Sequence, residues 1–176
     1  MLKDRNEAYE LLKQLGAPDR LIRHAQLVAE AADRLMSELQ ALGVPFDSRI
    51  VELGAVLHDA GKTLHSKEFS ESGAAHQHAG QALLLAHGIE PEVARCCASH
   101  GHGAWSLPAV SFEELVVALA DKLWKGKREA ALELLVLDEV AARLGVSRWD
   151  VFERLDTSFE EIAAGGAERV QKSRPG

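Results

Sequence analysis

The sequence predicts an all-α protein, and three observations carry that prediction. Apolar residues recur at helical spacing along almost the whole chain, alternating β-branched or aromatic runs are absent, and the breaks between periodic stretches hold glycine, proline and capping residues. A length of 176 residues, 47% of them hydrophobic and 27% charged, suits one domain that buries a real core without disulfides or structural metals as staples.

A first helix is expected over about Lys3 to Leu15, stopping at Gly16. Pro18 and Asp19 open a long second helix toward Leu42, with Gly43 and Pro45 as stop signals and Leu21, His24, Val28, Ala31 and Leu35 on one face. The next begins near Ser48, carries Val51, Ala55 and His58 on one stripe, and ends about Gly61. A polar loop from Thr63 to Gly73 leads to a helix over Ala74 to His87. Pro91 starts a short helix through Cys97, followed by the glycine-rich segment His100 to Gly103, a type of loop that often carries function. Ser111 and Glu114 form a capping box for a helix reaching Trp124, and Gly126 separates it from one ending near Gly145. A last helix follows Ser147, so a single helical domain over residues 1–164 is expected, with 165–176 as a flexible polar tail after Gly165 and Gly166. The helices after Lys127 either pack on the core or mediate a homodimer.

Composition narrows the function. A net charge of −7 argues against nucleic acid as a partner, because such binding uses many Lys and Arg contacts to phosphates. No apolar stretch is long enough to span a bilayer, and the first ten residues lack the apolar block of a secretory signal, so a cytoplasmic protein with no membrane partner is expected. Cys96 and Cys97 are adjacent on a helix, a spacing that suits buried reduced thiols. Trp105, Trp124 and Trp149 read as packing residues.

The string Gly54-Ala-Val-Leu-His58-Asp59-Ala-Gly-Lys62 delivers an imidazole and a carboxylate side by side at the end of an apolar helix. Asp121 follows Leu115-Val-Val-Ala-Leu-Ala120, which places a carboxylate on a helix destined for the interior, where its charge needs compensation. His24 lies on the apolar face of the second helix. One cation would satisfy all of them, and two imidazoles with two carboxylates suit iron, manganese, zinc or nickel, with positions left for water and substrate. Ligands drawn from separate helices exclude a zinc finger.

The order His24, His58-Asp59, Asp121 resembles the HD-domain superfamily of metal-dependent phosphohydrolases, and His58-Asp-Ala-Gly-Lys62 resembles its HD-x-G-K form. The resemblance covers about residues 18 to 125 and implies a helical bundle, here of about six to eight helices. It implies a first divalent metal ion on His24, His58, Asp59 and Asp121. His76-Gln-His-Ala-Gly80 resembles the H-x-x-x-G element of dinuclear members and His100 their next histidine, implying a second ion on His76 and His100 bridged by Asp59. His76 is chosen over His78 for its spacing to Gly80. Many members of the cyclic-dinucleotide phosphodiesterase branch have two consecutive histidines where Gly101 here separates His100 from His102, and the G-Y-P signature of one such branch is absent.

The expected activity is hydrolysis of a phosphate ester or anhydride in a small phosphorylated metabolite, a nucleotide or dinucleoside polyphosphate, by metal-activated water. Asp59 and Lys62 are the expected catalytic residues, with Lys62, His102 and Lys122 contacting substrate. The same ligand order resembles HD-fold diiron oxygenases, which makes oxygen activation the rival reading and a non-catalytic nucleotide-binding module the third.

Overall fold

The computed structural model describes residues 1–101, 103–107 and 109–174. Among these the chain forms α-helices and short 3-10 turns and no strand. The first helix, α1 (Arg5–Gln14), starts where Asp4 accepts the Glu7 N–H at 3.0 Å, and it buries Ala8, Leu11 and Leu12. The long α2 (Asp19–Ala41) follows Pro18 and buries the face of Leu21, Ala25, Val28, Ala32 and Leu35. Asp47 caps α3 (Ser48–Leu57) by accepting the Arg49 and Ile50 N–H groups.

The expectation that α3 runs on to Gly61 is corrected. It closes at Leu57 with His58 as its last cap, and residues Ala60–Thr63 form a 3-10 turn. The bend has a steric cause: Gly61 is pressed against the backbone of α4 (Ala75–Ala86), where an added Cβ would lie 1.9 Å from the His76 carbonyl oxygen. Next come α5 (Pro91–Ser99), with Pro91 in its first turn, and α6 (Phe112–Leu123), held by the expected capping box of Ser111 and Glu114. All of α6 except Glu113 and Lys122 is buried, and it packs against α2, α3 and α5. A helix this apolar on every side belongs in the centre of a bundle.

α7 (Ala130–Leu144) ends at Gly145, whose φ of 68° is the left-handed region glycine tolerates. α8 (Arg148–Ala164) begins with a second capping box, Ser147 with Asp150. Both pack back on the bundle, α7 on α6 and α8 on α2 and α6. Of the three tryptophans, Trp105 and Trp124 are buried, but Trp149 is 71% exposed and packs no core.

The flexible tail expected after residue 164 is also corrected. Residues Gly166–Ser173 form α9, which makes nine α-helices among the described residues. Its Arg169 is buried and donates to the Ile162 and Trp124 carbonyls at 2.7 and 3.2 Å, capping the ends of α8 and α6 together. Gly166 lies so close to Gly126 that a Cβ would fall 2.2 Å from its nitrogen. Among the described residues no helix is long and apolar enough to cross a membrane.

Candidate metal centre

Three elements deliver the first group of side chains. His24 comes from α2, His58 and Asp59 from the end of α3, and Asp121 from the last turn of α6. Their ligand-type atoms lie within 4.8 Å of one another. His24 Nε2 is 3.0 Å from Asp59 Oδ2, and His58 Nε2 is 3.2 Å from Asp121 Oδ1 and 3.5 Å from Asp59 Oδ2. Trp124 backs His24 edge-on, with ring centroids 5.0 Å apart.

The other oxygen of Asp59 faces a second group. His76, in the first turn of α4, and His100, at the end of α5, each place Nε2 at 3.2 Å from Asp59 Oδ1. Asp59 therefore stands between both groups, one oxygen toward each. His76 is buried, whereas His78, two positions on, lies on a different face of α4 and is exposed.

The protons in this cluster decide what fits it. His58 Nδ1 donates to the Ala55 carbonyl at 2.8 Å, His100 Nδ1 to the Cys96 carbonyl at 3.1 Å, and His76 Nδ1 to Glu68 Oε2 at 2.5 Å. A neutral imidazole that donates from Nδ1 presents a bare lone pair at Nε2. The bare Nε2 atoms of His58, His76 and His100 face carboxylate oxygens, and those of His76 and His100 lie 3.5 Å from each other, while His24 Nε2 lies 3.4 Å from His58 Nε2. Asp59 Oδ1 is fully buried and accepts no aligned hydrogen bond, although two ring nitrogens stand 3.2 Å away. Acceptors packed against acceptors need cations between them, and a mixed nitrogen and oxygen donor set suits divalent transition metals.

Charge is concentrated accordingly. Burial opposes ionisation of Asp59 and Asp121, but His58 above all, with His100, holds both well below the usual carboxylate range. Burial pulls the His58 pKa down, and the Asp59 and Asp121 charges outweigh it and raise it. The His76 pKa is raised in the same way, burial opposing and Asp59 prevailing, so the buried carboxylates favour positive charge on the imidazoles around them.

A family model described as HD domain matches residues 7–125, which span all of these side chains. The chain belongs to the HD-domain family. The superfamily is one of metal-dependent phosphohydrolases, and the all-helical bundle is its fold. The chain is also similar to two curated relatives. It is 30% identical over 149 residues to the tRNA (cytidine(56)-2'-O)-methyltransferase of Thermoplasma volcanium, covering 77% of this chain and 41% of that protein. It is 31% identical over 135 residues to the protein of the same name from Picrophilus torridus, covering 69% of this chain and 36% of the relative. The chain thus spans about two-fifths of the length of the relatives it matches. No solved structure gives a significant match.

The HD site opens into a cleft of about 490 Å³ whose walls include Lys62, Glu68, Gln77, Lys122 and Lys125. Lys62 Nζ lies 3.0 Å from Asp59 Oδ2. Lys122 Nζ is 3.8 Å from Asp121 Oδ2 and 5.8 Å from the centre of the Trp105 ring, and burial pushes its pKa down. His102, expected to contact substrate, lies outside the described residues. Cys96 and Cys97 are buried thiols whose pKa values burial raises far above the ordinary thiol range, so neither offers a nucleophile. Glu68 is the side chain that sequence reasoning missed. It sits in the polar loop from Thr63 to Gly73, and nothing local in the sequence marks its contact with His76.

Proposed function

We propose that this HD domain is a metal-dependent phosphohydrolase that holds two divalent ions, acting on a phosphate ester or anhydride of a small metabolite such as a nucleotide or dinucleoside polyphosphate. The observation that carries the reading is Asp59: a buried carboxylate with one oxygen toward His24 and His58 and the other toward His76 and His100, at the foot of a lysine-lined cleft.

In this reading His24, His58, Asp59 and Asp121 hold the first ion, and Asp59, His76 and His100 the second. Iron, manganese, zinc or nickel fits the donor set, and divalent ions there supply Lewis acidity, an activated water and neutralisation of phosphoryl charge. The chain's own residues do the rest. Asp59 orients both halves of the site and accepts from Lys62, whose ammonium stands at the cleft to meet a phosphoryl oxygen. Lys122, mostly buried, offers a second cation on the Asp121 side, and burial strengthens its pull on an anion that excludes water.

The names of the relatives do not support methyl transfer by this chain. Most of each relative's length lies outside the match, and a net charge of −7 opposes binding to tRNA.

The test is a panel of nucleotides, dinucleoside polyphosphates and phosphoesters incubated with the protein and added manganese, iron, nickel or zinc. Release of phosphate or nucleotide is expected, and Asp59→Ala is expected to lower it by about two orders of magnitude or more while the helical circular dichroism is kept. Full activity in a folded, metal-free Asp59→Ala protein would sink the proposal. Oxygen uptake with iron, and no phosphate release, would move the site to the oxygenase class.

A further inference from the structure

The imidazoles of this site differ in what holds them. His58 and His100 close helices, so the turn that precedes each supplies a carbonyl for Nδ1, from Ala55 and Cys96. His76 is the second residue of α4 and has no preceding helical turn. The partner for its Nδ1 has to come from elsewhere, and Glu68 provides it.

The Glu68 carboxylate accepts three hydrogen bonds from the start of α4. Oε1 takes the Ala75 N–H at 3.0 Å, and Oε2 takes the His76 N–H at 3.0 Å and His76 Nδ1 at 2.5 Å. It thereby caps the helix and clamps the imidazole with one group. The loop is shaped for this contact: a Cβ on Gly73 would sit 2.3 Å from Glu68 Oε1, so a residue without a side chain lets the carboxylate reach α4. The 3-10 turn Ser66–Phe69 that carries Glu68 is itself tied to α2 by Arg20, whose Nη2 donates to the Phe69 carbonyl at 2.6 Å.

We infer that Glu68 is the positioning residue of the second metal group. It keeps the proton of His76 on Nδ1, aims Nε2 at the side of Asp59 that faces His100, and makes the ring a stronger donor through its charge. The inference rests on the two-ion reading above. It adds an asymmetry between the ions: no residue of the loop between Thr63 and Ala74 clamps a ligand of the first, whereas occupancy of the second also depends on that loop.

Equilibrium dialysis of the full chain against graded manganese(II), with metal content and the exchange-coupled manganese resonance signal measured, tests it. The parent protein is expected to bind two ions per chain and to give the coupled signal. Glu68→Ala is expected to weaken the second binding step about 10- to 100-fold and lose the coupled signal, with the first step unchanged. Glu68→Gln, which keeps an acceptor but not the charge, is expected to fall between the two. Thermal melting without metal reports the loss of the helix cap separately. Two steps of unchanged affinity in Glu68→Ala, or equal weakening of both, would overturn the role assigned to Glu68. A parent protein that binds one ion would instead remove the two-ion reading itself.

Discussion

Gly61 and Gly80 fill one place from two sides. A Cβ on Gly61 would meet the His76 carbonyl oxygen at 1.9 Å and the Gly80 nitrogen at 2.7 Å, and a Cβ on Gly80 would meet the Gly61 nitrogen at 2.9 Å and Cys97 Sγ at 3.1 Å. These are the glycines of the two motifs, and their direct backbone contact sets the distance between Asp59 and His76. Gly61→Ala is expected to destabilise the fold by about 1–3 kcal/mol and to move His76 away from Asp59. Melting temperature and manganese stoichiometry measure the two effects, and a variant that melts like the parent and keeps both ions would refute the contact. The protons of the site make a second residue-scale prediction. In chelated protein the His58 pKa is raised from 6.5, with burial opposing and Asp59 and Asp121 prevailing, so its stabilising share is full below that value and is lost as pH rises through the raised one. Asp59 and Asp121, held low, lose theirs only as pH falls far into the acid range. Chelated protein should therefore melt at its highest temperature in mild acid and at lower temperatures above neutrality, and excess manganese should remove that decline. A decline that persists with manganese would count against the exchange of proton for metal.

At the scale of elements, α6 carries Asp121 into the site, and α9 fastens the end of that helix to α8. Ser111 accepts the Glu114 N–H at 3.2 Å, and Ser111→Ala is expected to cost about 1 kcal/mol in urea denaturation without changing metal content, since Asp121 lies at the far end of the helix. Arg169→Ala strips the Ile162 and Trp124 carbonyls of a buried donor and is expected to cost about 1–3 kcal/mol by the same measurement. Unchanged denaturation would mean that α9 is not docked. The same physics decides which elements are legible in the sequence. The helices are, because their periodicity and caps are local, and so are His24, His58, Asp59 and Asp121, because each is a polar group on an apolar stretch. Glu68 is not, since its contact with His76 depends on the path of a loop. Nor is α9, because Gly165 and Gly166 read as breakers, when Gly166 in fact serves a close approach to Gly126 that no local pattern encodes. The end of α3 is misplaced for a related reason: the bend at Asp59 is imposed by α4, packed from elsewhere in the chain.

For the whole molecule, charge and topology bear on what the likeness to the tRNA methyltransferases means. The net charge is −7, while the cations at the site are few and inward: Lys62 and Lys122 are engaged with Asp59 and Asp121 at the cleft. In the proposed reading such a field would favour a small anion brought to a metal centre over an extended polyanion, whose binding would need many outward Lys and Arg residues on one face. The described residues also form only helices, whereas nucleotide cofactors are commonly cradled at the edge of a parallel sheet. A protein of these 176 residues is therefore expected to retain no tRNA at physiological salt and to transfer no methyl group to it, while binding divalent metal. Gel retardation across a salt series and incorporation of labelled methyl groups measure both. Retention of tRNA with a steep salt dependence would mean that a basic face is assembled on this bundle after all, and the substrate of the metal site would then have to be sought on RNA.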